Sequence, residues 1–464
     1  MESIKKNFVF NSISSLLSII VPIITTPYIT RVLGPKVLGE YSFDYTVATY
    51  FVTVALLGIN NYGNRAIASI RDDKEELKKN FWSIYFMQLG IGLFVSIFYI
   101  VYAIYCGNLS CLVLVTYVFS ATISINWFFY GMEQFKLIVP RNIIIKMLTT
   151  ISIFIFVKSS MDMWKYALIV GVGSLISEAA LWTYLFKFTK FYLPTVKEII
   201  VHLKPNFILF IPVLAVSLYK LMDKVMLGIL ASKTEVGYYE ATEKLIQIPN
   251  ALVVSLGTVM LPRMSNLCAK NDEEAITKYI RKSMIVALLI ATPMCWGIMS
   301  VAKELVPIFF GCKYEKCVLL IQFLLPSCIF VAIANVVRTQ YLIPMCMDRE
   351  YIISVWFGAV INLVLNFILI PRFMSVGATI GTLCAEICVC IYQLFITRHI
   401  IQIKKILDDI IVILACGLLM YICLYFSCYW PSNLYLALFC KVLFGGCFFV
   451  LSMLAFWFYK LHKR

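Results

Sequence analysis

Long apolar runs, separated by short charged or Pro- and Gly-bearing joints, dominate this chain and restrict how it can fold. Each run has about 17 to 25 residues, the length that a helix needs to cross a bilayer core. Hydrophobic residues are 61% of the 464 and charged residues only 14%, which is unlike a soluble domain. The pattern predicts an all-α polytopic membrane protein. Fourteen spans are predicted, near residues 8–29, 41–59, 81–105, 109–130, 143–158, 166–186, 206–230, 237–260, 283–300, 317–341, 351–370, 377–397, 410–429 and 434–459.

The distribution of lysine and arginine predicts how these spans are oriented. With the N-terminus inside, 25 of the 40 Lys and Arg residues lie in inner loops or tails, so both termini are expected in the cytoplasm. The net charge of +15 is spread over short loops rather than over one basic face, which argues against nucleic acid as a partner. Many of the 16 cysteines lie inside apolar runs, so neither a disulfide framework nor a metal site is predicted.

An internal repeat divides the predicted spans into two halves. Residues 32–43 and 226–241 share a Leu-Gly pair followed by further Gly and aromatic positions, and acidic inner loops come later in both halves. Both halves begin on the inner side, so the repeat is parallel, as in transporters that bind substrate between two related halves. We predict a six-helix N-terminal lobe at 1–197 and a six-helix C-terminal lobe at 198–400 around a central cavity. Two additional helices are predicted at 401–464.

The predicted span at residues 206–230 contains the ionisable residues that are most costly to place in a membrane. Lys220, Asp223 and Lys224 share one helical face. A charged side chain at the centre of a membrane helix costs roughly 2.5 to 3.5 kcal/mol, so this face is expected to meet a watery or protein-lined interior. The alternative is a structural ion pair between Lys220 and Asp223 that fixes this helix to its neighbours.

Other ionisable residues in or beside the spans complete two candidate sets. A cationic set would bind an anionic substrate, because Arg offers a phosphate bidentate contact and Lys a point charge. For its peripheral members the alternative is anchoring at the membrane surface. An acidic set would serve ion coupling or gating, or would neutralise the cations. The cationic set is Lys220, Lys224, Arg338, Lys146 and Arg31, and the acidic set is Asp44, Glu178, Asp223, Glu240 and Glu386.

Several short motifs carry a family resemblance that extends over nearly the full length. Residues 27–35 read PYITRVLGP, and residues 39–41 and 63–65 read GEY and GNR. In the second half, residues 223–228 read DKVMLG. With these motifs the chain resembles the Wzx-type polysaccharide flippases, which handle O-antigen or capsule repeat units. They are a branch of the MATE-like multidrug/oligosaccharidyl-lipid/polysaccharide exporter superfamily.

The resemblance implies a flippase that moves undecaprenyl-diphosphate-linked oligosaccharide repeat units from the inner to the outer leaflet of a bacterial plasma membrane by alternating access. It implies a polysaccharide polymerase and a chain-length regulator as candidate partners. It implies no cofactor, and leaves H+ or Na+ open as a coupling ion. It does not identify the residues that contact substrate.

Two other functions compete with this interpretation. A MATE-like ion-coupled exporter of drugs or cations would share the two-lobe plan, although several interior lysines argue against cationic cargo. An enzyme that acts on the same lipid-linked cargo would be expected to carry a sizeable outer loop, and the predicted outer loops are short. No P-loop is present, so hydrolysis of ATP by this chain is not expected either.

Overall fold

The computed structural model describes residues 2–270, 272–401, 407–426 and 430–462, with side chains from residue 20 onward except those of 459 and 461. Across these residues the chain is helical and no strand occurs. Thirteen helical stretches of this part of the chain are long and apolar enough to cross a membrane. The first of them, Ile20–Ile70, contains parts of two predicted spans, which accounts for the difference from fourteen.

The chain forms two compact units, Met1–Val225 and Met226–Arg464. The boundary between the units lies within the helix Leu203–Leu230, later in the chain than the predicted lobe boundary after residue 197. The two additional C-terminal helices are part of the second unit. The helices that begin in the first unit are α1 (Glu2–Leu56), α2 (Ile59–Ile70), α3 (Lys74–Cys106), α4 (Leu109–Val113), α5 (Val115–Thr122), α6 (Asn126–Gly131), α7 (Phe135–Phe156), α8 (Met163–Leu185), α9 (Val196–Val201) and α10 (Leu203–Leu230), with a 3-10 turn at Ser160–Asp162.

Helix α1 is two helices joined at Gly34. This residue has φ 73° and ψ 170°, a backbone conformation that is accessible to glycine and strained for other residues. The break lies between the first two predicted spans, in the segment 30–40 that separates them. Arg31, one turn before the break, is exposed.

Gly58 forms the turn between α1 and α2 and also lets α10 pack against that turn. Its φ is +80°, and a Cβ added to it would lie 2.8 Å from the backbone nitrogen of Phe210. We expect Gly58→Ala to lower the free energy of unfolding by at least about 2 kcal/mol, because left-handed strain adds to a clash with backbone. Thermal unfolding in detergent measures this loss. Gly90→Ala in α3 is the control, since a Cβ there meets nothing within 4 Å; equal melting temperatures of the two variants would contradict the prediction.

The predicted fourth span, 109–130, is broken into α4, α5 and α6, although no proline interrupts it. Side chains from other helices bind the backbone carbonyls that the break releases. Gln88 of α3 donates to the carbonyls of Ala121 and Ser124 at 2.7 and 2.8 Å. Trp182 of α8 donates to the carbonyl of Ile123 at 2.8 Å. Unsatisfied carbonyls cost several kcal/mol in a membrane, so these two side chains make the break possible.

The second unit has a similar interruption in its predicted tenth span, 317–341. Pro326 precedes the second segment, and a π-helical turn at Arg338–Leu342 follows it. The π turn closes with a bond from the nitrogen of Ile343 to the carbonyl of Arg338 at 3.0 Å. The remaining helices are α11 (Lys233–Ala269), α12 (Glu273–Ser300), α13 (Ala302–Phe309), α14 (Lys316–Leu324), α15 (Ser327–Val337), α16 (Asp348–Phe373), α17 (Ser375–Ile396), α18 (Arg398–Ile401), α19 (Leu407–Phe426) and α20 (Leu434–His462), with a 3-10 turn at Cys312–Tyr314.

Two partly buried ion pairs join helices of the second unit. Glu235 of α11 accepts from Lys316 Nζ at 2.7 Å and from the backbone nitrogen of Ser375 at 3.1 Å, so the first turns of α11, α14 and α17 meet at one carboxylate. Lys441 of α20 donates to Glu304 of α13 at 2.6 Å. Pairing offsets much of the cost of burying these charges. Their positions inside the protein therefore have a structural explanation.

Candidate functional site

A pocket of about 350 Å³, with both apolar and polar side chains in its lining, lies between α7 and α8 in the first unit. The two helices approach closely there, since a Cβ on Gly173 would lie 2.3 Å from the methyl carbon of Thr149. The polar lining of each helix recurs at intervals of three and four residues, so each helix turns one polar face toward the pocket. This lining consists of Asn142, Lys146 and Thr149 on α7 and of Ser174, Ser177 and Glu178 on α8.

Asn126 of α6 connects Glu178 to an arginine beside the pocket. Its amide nitrogen donates to both carboxylate oxygens of Glu178, at 2.8 and 2.7 Å, and its side-chain oxygen accepts from Arg141 at 3.0 Å. Arg141 also donates to the backbone carbonyl of Ser177 at 2.7 Å and to the side chain of Asn142 at 2.6 Å. One guanidinium therefore joins α6, α7 and α8, and its charge interacts with that of Glu178.

The pocket brings together two predicted site residues, Lys146 and Glu178, which belong to different predicted sets. Beside the pocket lies a residue that sequence reasoning missed, Arg141. Arg141 follows Pro140 and lies just before the predicted start of the fifth span at 143, whereas α7 begins at Phe135 and contains both residues. Prolines are tolerated inside membrane helices, so Pro140 was a poor boundary signal. The useful signal was that Arg141 directly adjoins an apolar run.

Helix α10 places its three predicted site residues in different environments. Lys220 is exposed and Lys224 is half-buried, whereas Asp223 has only 3% of its surface exposed. Asp223 interacts electrostatically with Tyr50 of α1. The sequence predicts that these residues share one helical face, but in the structure Lys220 is exposed whereas the Asp223 carboxylate lies near α1.

Asp44 of α1 lies at the turn between α3 and α4. It is buried and accepts from the side-chain nitrogen of Asn108 at 2.9 Å. The side-chain oxygen of Asn108 accepts in turn from the backbone nitrogen of Ser110 at 3.1 Å, which caps α4. The Asp44 carboxylate thus helps to fix this turn against α1.

The remaining predicted residues lie in the second unit. Arg338 begins the π turn, donates to the side chain of Asn335 at 2.7 Å and lies over the ring of Tyr351, 5.8 Å from its centroid. Glu240 is buried and pairs with Lys244 at 3.1 Å, one turn further along α11. Glu386 is half-buried in the middle of α17. Among the described residues, no group of three or more His, Cys, Asp or Glu is placed to hold a metal ion.

Two family models each match more than half of the chain. The model described as polysaccharide biosynthesis protein matches residues 4–268. The chain belongs to this family. A second model, described as lipid II flippase MurJ, matches residues 143–445, so the second half of this family member is similar to that flippase. Together these matches place the chain among the Wzx-type polysaccharide flippases of the MATE-like exporter superfamily, as the sequence motifs indicated.

Individual relatives and solved structures agree with this membership. An Escherichia coli (strain K12) protein named "Putative O-antigen transporter" is 22% identical over 405 residues, which cover 86% of this chain and 97% of that protein. A structure titled "Lipid II flippase MurJ, inward closed conformation" has a TM-score of 0.78 at 17% identity and covers 98% of this chain and 100% of its own. An inward-facing MATE family multidrug transporter has a TM-score of 0.65 at 14% identity, covering 84% and 95%. The predicted fold class is thus confirmed, and this family member is a multi-pass membrane transporter.

Proposed function

We propose that the protein is a flippase that moves undecaprenyl-diphosphate-linked oligosaccharide repeat units from the inner to the outer leaflet of the bacterial plasma membrane by alternating access. The translocated units would be used to build a surface polysaccharide such as O antigen or capsule. The protein acts in this proposal as a transporter and catalyses no bond-making or bond-breaking step.

The observation that carries this proposal is that cationic side chains lie within membrane-length helices of a chain from this family. Lys220 and Lys224 lie on α10, and Arg338 lies in the membrane-length stretch Lys316–Leu342. A diphosphate is anionic and strongly hydrated, so it needs positive groups in a watery interior to pass through a membrane. The O-antigen name of the Escherichia coli relative supports a lipid-linked glycan as the carrier of that diphosphate. Our candidates for diphosphate contact are Lys220, Lys224, Arg338 and Arg31, whereas Lys146, the fifth predicted cation, lies in the α7–α8 pocket with Glu178.

The orientation, coupling and partners of the protein form further parts of the proposal. We place both termini in the cytoplasm on the basis of the Lys and Arg distribution. The candidates for H+ or Na+ coupling or for gating are Asp44, Glu178, Asp223, Glu240 and Glu386, because acidic groups inside membrane helices are costly and usually have a function. A polysaccharide polymerase and a chain-length regulator are the proposed partners.

An ion-coupled exporter of drugs or cations is the second candidate function. The observation that favours it is the fold similarity to the MATE family transporter. Interior lysines argue against it, because they would repel cationic cargo, whereas an anionic diphosphate accounts for them.

The experiment that tests the proposal is deletion of the gene, followed by measurement of which leaflet holds the polyprenyl-linked oligosaccharide. We expect the lipid-linked oligosaccharide to accumulate in the inner leaflet and the surface polymer to be lost, with both restored by a plasmid copy. An unchanged leaflet distribution in a strain that has no second flippase would contradict the proposal. Drug and cation efflux would then be the assay to run.

A further inference from the structure

The α7–α8 pocket has a size that suits a single sugar ring. Its volume of about 350 Å³ is at the small end of ligand pockets. A whole oligosaccharide would not fit, so an occupant from the proposed cargo would be one residue of the glycan.

The charges of the pocket distinguish between classes of occupant. Lys146 and Glu178 line the same space with opposite charges that largely offset each other, so the lining favours neither an isolated cation nor a diphosphate. Both carboxylate oxygens of Glu178 also accept from the amide nitrogen of Asn126, and a bound metal ion would compete with this donor. An uncharged ligand rich in hydroxyl groups meets neither obstacle.

The polar groups of the pocket match the hydrogen-bonding capacity of a sugar. Each Glu178 oxygen can accept a further hydrogen bond in addition to the one from Asn126. The Thr149 hydroxyl donates to the carbonyl of Lys146 at 3.0 Å, and its oxygen can still accept a hydrogen bond from a ligand. Lys146 and Asn142 supply nitrogen donors. Sugar hydroxyls both donate and accept, so they can pair with all of these groups at once.

The network around Arg141 holds this arrangement in place before a ligand binds. Asn126 fixes the position of the Glu178 carboxylate, and Arg141 fixes Asn126 and Asn142. A site that is ordered in advance loses less conformational entropy on binding. We infer that the α7–α8 pocket is a glycan subsite that holds one sugar ring of the lipid-linked cargo, separate from the groups that hold the diphosphate; this inference rests on the proposed function.

The test compares two threonines that differ in their relation to the pocket. Thr149 and Thr150 are adjacent, and both hydroxyls donate to the carbonyl of Lys146, but only Thr149 lines the pocket. Valine replaces the hydroxyl with a methyl group of similar size in either position. The probes are the lipid-linked oligosaccharide extracted from the deletion strain and bare undecaprenyl diphosphate, and the measurement is the Kd of the purified full-length protein for each.

We expect the wild-type protein to bind the glycan-bearing lipid about tenfold more tightly than the bare lipid. Thr149→Val should weaken binding of the glycan-bearing lipid about fivefold and leave the bare lipid unchanged, and Thr150→Val should change neither. Equal wild-type affinity for the two lipids would overturn the inference, as would a loss in Thr149→Val that is the same for both lipids. Failure of the wild-type protein to bind either lipid would instead overturn the proposed function, and the subsite with it.

Discussion

Replacement of Arg141 by leucine is expected to destabilise the first unit and to abolish production of the surface polymer. The guanidinium donates to Asn126, Asn142 and the Ser177 carbonyl, all of which would lose a donor, and Glu178 would lose the charge that compensates it. Removal of one partner from such a half-buried network of hydrogen bonds costs about 1 to 3 kcal/mol. The measurements are thermal unfolding of the purified protein and complementation of the deletion strain at matched protein levels.

Two further variants separate the charge of Arg141 from its geometry. Arg141→Lys keeps the charge but cannot reach three acceptors with one planar group, so we expect intermediate stability. Addition of Glu178→Gln to Arg141→Leu removes the uncompensated carboxylate and should restore part of the lost stability, a non-additive result. If Arg141→Leu melts like the wild-type protein, or if the two substitutions add, the network has no such structural importance.

Arg141 illustrates why the site was only partly predictable from sequence. Hydropathy located the membrane-length helices of the described residues, because apolar runs of that length leave few alternatives. The position of a span boundary depended on local signals, and Pro140 gave a misleading one. The contacts of Asn126 with Glu178 and Arg141 join residues up to 52 positions apart, and no spacing rule in one sequence reports such pairs.

The interrupted helices show the same limit in the fold. Residues 109–130 are mostly apolar and contain neither a charged residue nor a proline, so they predict one continuous span. The break is stable because Gln88 and Trp182, from α3 and α8, bind the carbonyls it leaves. A local pattern cannot reveal such distant partners. Gly34 is the opposite case, because the break in α1 lies in the short segment that separates the first two predicted spans.

Replacement of Lys220 by alanine is the other change for which we expect a large effect. Lys220 lies about 15 Å from Leu230 along α10, near mid-membrane, and its side chain is exposed. We expect Lys220→Ala to lower the transport rate of proteoliposomes at least tenfold, because a diphosphate would lose a charged contact worth about 1.5 to 3 kcal/mol. Lys233→Ala, at the start of α11, should have little effect at an equal protein level. Equal activity of the two variants would remove Lys220 from the proposed site.

The surroundings of Lys220 can be tested independently of any substrate. A lysine that faces lipid at this depth would cost roughly 2.5 to 3.5 kcal/mol, so its exposed side chain should face water. Ile211 is also exposed, at 45%, and lies nine residues away, on the opposite face of the same helix. Lys220→Cys should therefore react with a charged, water-soluble thiol reagent, and Ile211→Cys should not. Because the chain has 16 native cysteines, peptide mass spectrometry is used to read the labelling of each position separately.

Labelling of position 220 combined with inactivity of Lys220→Ala would place the lysine in an aqueous path that the cargo uses. Absence of labelling would favour the structural ion pair with Asp223.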